Sequence, residues 1–289
     1  MALAVLLALP VATGCGPGDT ADSPSTARAP QRIVSLSPTA TEDLYAIGAG
    51  NLIAAVDGES DYPPAAPRTE LSGFQPNVEA VAAYRPDLVV VSAEGTEAAV
   101  RGLRKLGIDV LVQAAATSLA EVYAQLRELG RIVDRQAEAR AAAARIRARV
   151  ARAVQAAPSG LGLSVYHEVS PDYFSADSST FIGRIYRLFG LANIADGAGT
   201  AAGTGYPQLS AEHILEADPD LIVITDTECC NQSPATVRRR PGWSGIAAIR
   251  HGDVIAIEED VASRWGPRVA EFAERLGEAL DAVRGTPNG

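Results

Sequence analysis

The sequence predicts an α/β protein made of two Rossmann-like lobes, each with a central parallel sheet, joined by a single long backbone helix. Three observations support this prediction. Short apolar runs alternate with helical runs in both halves of the chain, one long helical run lies between the halves, and a short motif occurs once in each half. Strands that alternate with helices form parallel sheets covered on both faces. Ligands of such folds bind in clefts that face the carboxyl ends of the strands, so we expect the ligand site there.

The first lobe is predicted over residues 32–133. Its strand candidates are apolar runs rich in valine, isoleucine and leucine at residues 33–36, 52–56, 88–91 and 110–113. The helical runs between and after them are predicted to begin near Thr41, Asn77, Thr96 and Ser118. Runs of this length and composition, separated by helices, predict a parallel sheet.

Residues 134–158 are predicted to form the connecting helix. Within 135–157, alanine, isoleucine and valine recur on one face at helical spacing, and Pro158 ends the run. At about 1.5 Å per residue this helix is roughly 34 Å long, which is the size of a small domain. A helix of this length can bridge two lobes.

The second lobe is predicted over residues 159–284, with a short tail at 285–289. Its strand candidates lie at 163–169, 221–225 and 254–257, and its helices are predicted to begin near Thr180, Ser210 and Pro267. A repeat links it to the first lobe. Glu79 lies seven residues before the Pro-Asp-Leu run that starts at Pro86, and Glu212 lies seven residues before the same run at Pro219. Two such units favour two similar lobes.

The N-terminus predicts export. Residues 1–14 are apolar but too few to cross a bilayer as a helix, and Cys15 follows them directly. This order is typical of a lipoprotein signal peptide that ends at a lipidated cysteine. Residues 15–31 are polar and rich in proline, serine and threonine, so we expect a flexible tether. The protein would then be extracytoplasmic, anchored to the outer face of the cell membrane. The alternative is an unanchored protein with an apolar N-terminus.

The charge of the chain and the motifs that it lacks argue against a nucleic-acid-binding protein, an enzyme and a protein that binds a bare metal ion. A formal net charge of −10 makes nucleic acid a poor partner, because phosphate contacts need lysine and arginine. Nucleotide-binding, nucleophile-elbow and zinc-protease motifs are all missing from the sequence, so we expect no enzyme. The three histidines, His167, His213 and His251, are far apart, which disfavours a bare-metal site. His167 remains a candidate ligand of a metal or a haem iron.

Three features of the sequence resemble the solute-binding proteins of cobalamin and ferric-siderophore importers. They are the stretch 32–42, the Asp-Tyr-Pro-Pro run at 61–64, and the repeated Glu and Pro-Asp-Leu units. The resemblance covers about residues 32–283. It implies two Rossmann-like lobes bridged by a single rigid helix, with the ligand in the cleft between the lobes. The protein would be a monomer without an intrinsic cofactor, and its partner would be an ABC-type permease with a cytoplasmic ATPase. The resemblance also implies a metal-chelate ligand, with cobalamin favoured over a ferric siderophore and haem. An extracytoplasmic enzyme or sensor module on the same fold is the remote alternative.

The resemblance also assigns roles to residues. Glu79 and Glu212 match the family's paired glutamates, which dock onto arginines of the permease. Their alternative role is to favour the dipole at a helix N-terminus. Phe74 and Tyr206 match two aromatic positions that flank the corrin in the vitamin B12-binding member, where that member has tryptophans. Tyr62, in the Asp-Tyr-Pro-Pro run, is a further ligand-binding candidate.

Three more ligand-binding candidates follow predicted strands of the second lobe: Tyr173, with its neighbour Phe174 as an alternative, and Arg264 and Trp265. Arginine suits carboxylates, phosphates or catecholates. Packing within the lobe is the alternative for each candidate. Cys229 and Cys230 are adjacent, and an oxidising compartment favours a disulfide between them. They follow a strand, so they are expected near the ligand, and a redox or soft-metal role stays open.

Overall fold

The computed structural model describes residues 29–92, 95–158, 160, 162–198 and 205–285. The predicted signal peptide, most of the predicted tether with Cys15, and residues 286–289 lie outside this part of the chain. No helix among the described residues is both long and apolar enough to cross a membrane.

Lobe 1 is an α/β unit around a four-stranded parallel sheet with the strand order β2-β1-β3-β4. Its strands are β1 (Ile33–Leu36), β2 (Ile53–Val56), β3 (Leu88–Ser92) and β4 (Asp109–Gln113). Its helices are α1 (Pro38–Ala46), α2 (Val78–Ala83), α3 (Glu97–Lys105) and α4 (Leu119–Ile132). β1 and most of β3 are buried, as expected of the central strands of a sheet covered on both faces.

Lobe 2 repeats this topology with the strand order β6-β5-β7-β8. Its strands are β5 (Ser164–Glu168), β6 (Ala192–Asn193), β7 (Leu221–Ile224) and β8 (Val254–Ala256). Its helices are α6 (Phe181–Leu188), α7 (Ala211–Ala217), α8 (Thr227–Cys230), α9 (Pro234–Arg238), α10 (Ala247–His251), α11 (Glu259–Ser263) and α12 (Val269–Gly285). β5, β6, β7 and β8 occupy the places of β1, β2, β3 and β4, so the predicted two-lobed α/β fold is confirmed.

Helix starts follow from capping residues. The side chains of Asn77, Ser118, Thr180 and Ser210 each accept a backbone N–H of the first turn of their helix, and all four lie at predicted starts. The start predicted near Thr41 is wrong by one turn. Ser37 caps α1 and Pro38 occupies its first position, where the missing N–H costs nothing.

The helix between the lobes, α5 (Gln136–Ala156), packs against α4 of lobe 1 and α12 of lobe 2. Its buried face consists of small and branched side chains, Ala139, Ala142, Ala143, Ile146 and Val150. The same hydrophobic core includes residues of β1 and β5, so it is continuous through both lobes. Arg149 of α5 also forms a bidentate ion pair with Glu274 of α12. These contacts give the two lobes a common support.

Candidate functional site

The carboxyl edges of the two sheets lie on the same side of the molecule, where the lobes touch through charged side chains. Arg268, which follows β8 in lobe 2, donates to Glu42 of α1 at 2.6 Å. Arg264 reaches the same carboxylate at 3.5 Å and Asp61, which follows β2, at 3.0 Å. Asp260 accepts from Arg264 at 2.7 Å. We call these five side chains the inter-lobe ion cluster.

Three members of the inter-lobe ion cluster, Glu42, Arg264 and Arg268, are largely shielded from water, whereas Asp61 lies at its exposed side. The Glu42 side chain is 1% exposed, and those of Arg264 and Arg268 are 11% and 12% exposed. Burial raises the pKa of Glu42, and the two arginines oppose this shift. Gly266, between them, lies so close to α1 that a Cβ there would meet Thr39 at 3.4 Å. The cluster therefore holds the carboxyl edges of the lobes at a defined separation.

Phe74 stands at the carboxyl edge of lobe 1 and is 82% exposed. Its loop crosses the ends of β1 and β2, because a Cβ at the adjacent Gly73 would lie 3.1 Å from the Leu36 carbonyl oxygen and would clash with the Asp57 carboxylate. Glycine is therefore required at that close approach. Tyr62 lies in the same lobe, is 43% exposed and has the Arg268 guanidinium 4.4 Å from its ring centroid. Lobe 1 thus presents two exposed aromatic rings, and Arg268 covers one face of the Tyr62 ring.

The ring of Tyr173 in lobe 2 is held by neighbouring side chains. Its backbone has a φ of +67°, and its ring stacks on Trp243 with 5.9 Å between centroids. The Arg240 guanidinium lies 5.5 Å from the same ring. Phe174, the next residue, is 40% exposed and pairs in a β-bridge with Gln208. Of these two neighbours, Phe174 offers the more accessible apolar face.

Tyr206 and Trp265 are more enclosed than Phe74. Tyr206 is half-buried and packs against the main core, and burial, together with the charge of Asp177, raises its pKa. Trp265 meets Phe181 edge to face at 6.1 Å, and its buried Nε1 has no hydrogen-bond partner in the structure. The structure therefore places Phe74 and Tyr206 in unlike environments, although the sequence assigns them the same role. The ligand-contact assignments remain predictions.

Sequence reasoning missed a buried charged network in lobe 2. Arg240 forms a bidentate ion pair with Glu168, at 2.5 and 2.6 Å, and the Tyr166 hydroxyl donates to the same carboxylate at 3.1 Å. Asp226, at the carboxyl end of β7, is 1% exposed, and its carboxylate lies near that of Glu168. Burial, with the nearby Glu168 charge, raises its pKa to about 7. The residues of this network are too far apart in sequence for any local pattern to indicate it.

Cys229 and Cys230 form a disulfide at the end of α8, the short helix that begins directly after Asp226. Their Cα atoms are 3.8 Å apart, as in any adjacent pair of residues joined by a trans peptide bond. Cys229 is exposed and Cys230 half-buried. The pair lies beyond the carboxyl end of β7, on the side of the molecule where Tyr173 and Phe174 follow β5.

The predicted docking glutamates occupy equivalent places. Glu79 is the second residue of α2 and Glu212 the second residue of α7, the helices that precede β3 and β7. Both side chains are exposed, and within the described chain neither has an ion-pair or hydrogen-bond partner. Two free carboxylates are thus displayed on matching surfaces of the two lobes.

His167 and His213 serve the scaffold. His167, in β5, is fully buried, its Nδ1 lies 2.6 Å from the Tyr186 hydroxyl, and burial lowers its pKa to about 3. A neutral side chain at this depth does not face a cleft. The His213 Nε2 lies 2.8 Å from the Ile194 carbonyl oxygen. In the part of the chain that the structure covers, no group of three or more histidine, cysteine, aspartate or glutamate side chains is arranged to hold a metal ion.

Two α/β lobes of equal topology, bridged by one helix and fixed by ion pairs at their carboxyl edges, define a two-lobed ligand-binding protein. Exposed aromatic side chains lie at the carboxyl edges of both lobes, Phe74 in lobe 1 and Phe174 in lobe 2, and suit contact with a ligand. Sequence comparison agrees with this class. Residues 33–261 match the family model described as periplasmic binding protein, and the chain belongs to this family.

Individual relatives support the same class. An uncharacterized ABC transporter substrate-binding lipoprotein of Bacillus subtilis is 30% identical over 96% of this chain and 95% of its own length. A cobalamin-binding protein of Halobacterium salinarum is 33% identical over 87% of this chain and 69% of its own length. The solved structure of a periplasmic vitamin B12 binding protein of Vibrio cholerae superposes with a TM-score of 0.72 at 24% identity, covering 89% of this chain and 99% of that one. The relatives are binding proteins, which confirms the expectation that this chain is not an enzyme.

Proposed function

We propose that this protein is the substrate-binding component of an ABC importer and that it captures cobalamin or a related corrinoid between its lobes. The observation that carries the proposal is Phe74, a large apolar ring that is 82% exposed at the carboxyl edge of lobe 1. Exposure of such a ring is unfavourable unless a ligand covers it. Covering a phenylalanine side chain contributes about 1.5–3 kcal/mol, and a flat macrocycle suits stacking on an aromatic face.

The wall facing Phe74 would come from lobe 2, with Phe174 and Tyr173 beside each other and Tyr206 on the segment that pairs with theirs. Tyr62 would extend the lobe 1 wall. In the inter-lobe ion cluster, Arg264 forms ion pairs with three carboxylates, those of Glu42, Asp61 and Asp260. We therefore assign Arg264 to positioning the lobes. A wall held in place before binding loses little conformational entropy when the ligand arrives.

Glu79 and Glu212 would dock this protein onto the permease that works with a cytoplasmic ATPase. Their free carboxylates occupy equivalent places on the two lobes. They fit a partner that presents an arginine at each of two matching positions, where bidentate contacts give directional strength. Residues 1–14 would direct export, and a lipid on Cys15 would hold the monomer at the outer face of the membrane, with 15–31 as its tether. The Bacillus subtilis relative is named as a lipoprotein.

Isothermal titration calorimetry tests the proposed ligand. The full chain carrying Cys15→Ser would be titrated with cyanocobalamin, and in parallel with a ferric hydroxamate, a ferric catecholate and haemin. We expect saturable one-to-one binding of cyanocobalamin with a submicromolar Kd and no comparable heat from the other three. Binding of an iron complex or of haemin in place of cyanocobalamin would contradict the cobalamin assignment.

A further inference from the structure

The disulfide of lobe 2 lies where it can influence the ligand wall. Cys229 and Cys230 follow β7, a central strand, and only Thr225 and Asp226 separate that strand from α8. The Cys229 side chain is exposed, so a thiol in solution can reach its sulfur. The bond is therefore open to exchange, in contrast to a disulfide buried in a core.

Two hydrogen bonds and a cation–π contact connect this pair to Tyr173. Gln232 donates to the Cys230 carbonyl oxygen at 3.5 Å and accepts from Arg240 at 3.0 Å. The Arg240 guanidinium in turn lies 4.6 Å from the ring of Trp243 and 5.5 Å from that of Tyr173. A change in the turn at 229–232 would therefore affect Arg240, which contacts the aromatic rings of the lobe 2 wall.

The same region is arranged to accept the reduced state. The Cys229 sulfur lies 3.8 Å from the Asp226 carbonyl oxygen, so a thiol at this position would have an acceptor at once. The Asp226 side chain is buried beside the same turn, near the charge of Glu168. Opening the turn would let water reach the Asp226 carboxylate, which favours the open form.

We propose that Cys229 and Cys230 form a redox-sensitive element of the lobe 2 wall, which exchanges with an extracytoplasmic dithiol reductant and weakens ligand binding when it is reduced. A thiolate of the reductant attacks the Cys229 sulfur, the bond between the cysteines breaks, and Cys230 leaves as a thiolate. The second thiol of the reductant then attacks its own sulfur in the mixed disulfide and releases Cys229. The pair gains two electrons and two protons, and the reductant becomes a disulfide.

Hydrogen exchange tests the element without any ligand. The full chain carrying Cys15→Ser would be compared before and after treatment with dithiothreitol, and thiols would be counted from the mass added by iodoacetamide. We expect two new thiols and about tenfold faster amide exchange in 226–240, with α2 and α3 unchanged. The double variant Cys229→Ser/Cys230→Ser should exchange like the reduced protein and should not respond to dithiothreitol. A pair that yields no thiols, or reduction without faster exchange, would overturn the proposal.

The effect on binding rests on the proposed function and is measured separately. Cyanocobalamin should bind the reduced protein and the double serine variant with a Kd about tenfold higher than the oxidised protein, which corresponds to about 1.4 kcal/mol. An equal Kd in both redox states would contradict the link to the wall. If the oxidised protein itself does not bind cyanocobalamin, the proposed ligand fails, and the exchange measurement alone decides whether the redox element exists.

Discussion

The two lobes share one topology, yet the aromatic residues at their carboxyl edges differ in how firmly they are held. Lobe 1 presents Phe74 with its side chain 82% exposed. Lobe 2 presents Tyr173 with Trp243 stacked on it and Arg240 nearby, and Arg240 is itself held by the buried Glu168. Their outer surfaces, in contrast, match: each displays a free glutamate as the second residue of the equivalent helix. We infer that the ligand contacts two different walls, whereas the transport partner contacts two similar surfaces.

Removing Arg240, which holds the aromatic residues of lobe 2, should have the largest effect on stability. Arg240→Ala would leave Glu168, whose side chain is 0% exposed, as a buried charge without its cation. Such a loss costs about 3–5 kcal/mol. Urea denaturation would measure it, with Arg239→Ala as the matched control, since Arg239 is exposed and its side chain makes no polar contact in the structure. We expect the control to stay within about 0.5 kcal/mol of the parent. Equal stabilities of the two variants would show that lobe 2 does not depend on this ion pair.

Sequence reasoning succeeded where the signal was local. Strands and helices came from short apolar runs, and helix starts from capping residues such as Asn77 and Ser210. The ion pair between Glu168 and Arg240 joins residues 72 positions apart, and no pattern in one sequence encodes such a contact. The short helices α8 to α11 were missed because four or five residues are too few to show a helical period. Tyr206 was paired with Phe74 by position, and only packing reveals their different exposure.

Truncating the open aromatic of lobe 1 should affect ligand binding without affecting the fold. In Phe74→Ala, the lost burial of the ring by ligand should weaken cyanocobalamin binding by about 1.5–3 kcal/mol, or roughly ten- to hundredfold in Kd. The free energy of unfolding should not change, because the ring is 82% exposed. Leu106→Ala is the control: Leu106 is 58% exposed but lies at the end of α3, away from the carboxyl edge. A control that weakens binding as much as Phe74→Ala would argue against this wall.

A further prediction concerns the pH dependence of stability that Asp226 causes. Its folded pKa of about 7 lies above the unfolded value near 3.9, so the folded protein holds a proton that the unfolded chain releases. This contribution to stability is full below about pH 4 and is lost as the pH rises through about 7, at no more than about 1.4 kcal/mol per unit. His167, with a folded pKa of about 3, acts in the opposite direction between about 3 and 6.5.

Comparison with Asp226→Asn isolates the effect of Asp226, because His167 is present in both proteins. The groups that face Asp226, namely Glu168, Arg240 and Tyr166, are also unchanged. Relative to the parent, the variant should gain stability from pH 4 to 7 and then stay level. Urea denaturation at four pH values would measure the difference. A difference that does not vary with pH would mean that Asp226 is ionised throughout this range.

The double variant Glu79→Ala/Glu212→Ala tests most directly whether the ligand walls bind ligand while the outer surfaces dock onto the permease. Cobalamin uptake by cells that carry the double variant would be measured beside the Kd of the purified variant for cyanocobalamin. The predicted result is an unchanged Kd with uptake lost, because both carboxylates are exposed and lie outside the ligand walls. A weakened Kd, or uptake at the parental rate, would contradict the assignment of the outer surfaces to docking.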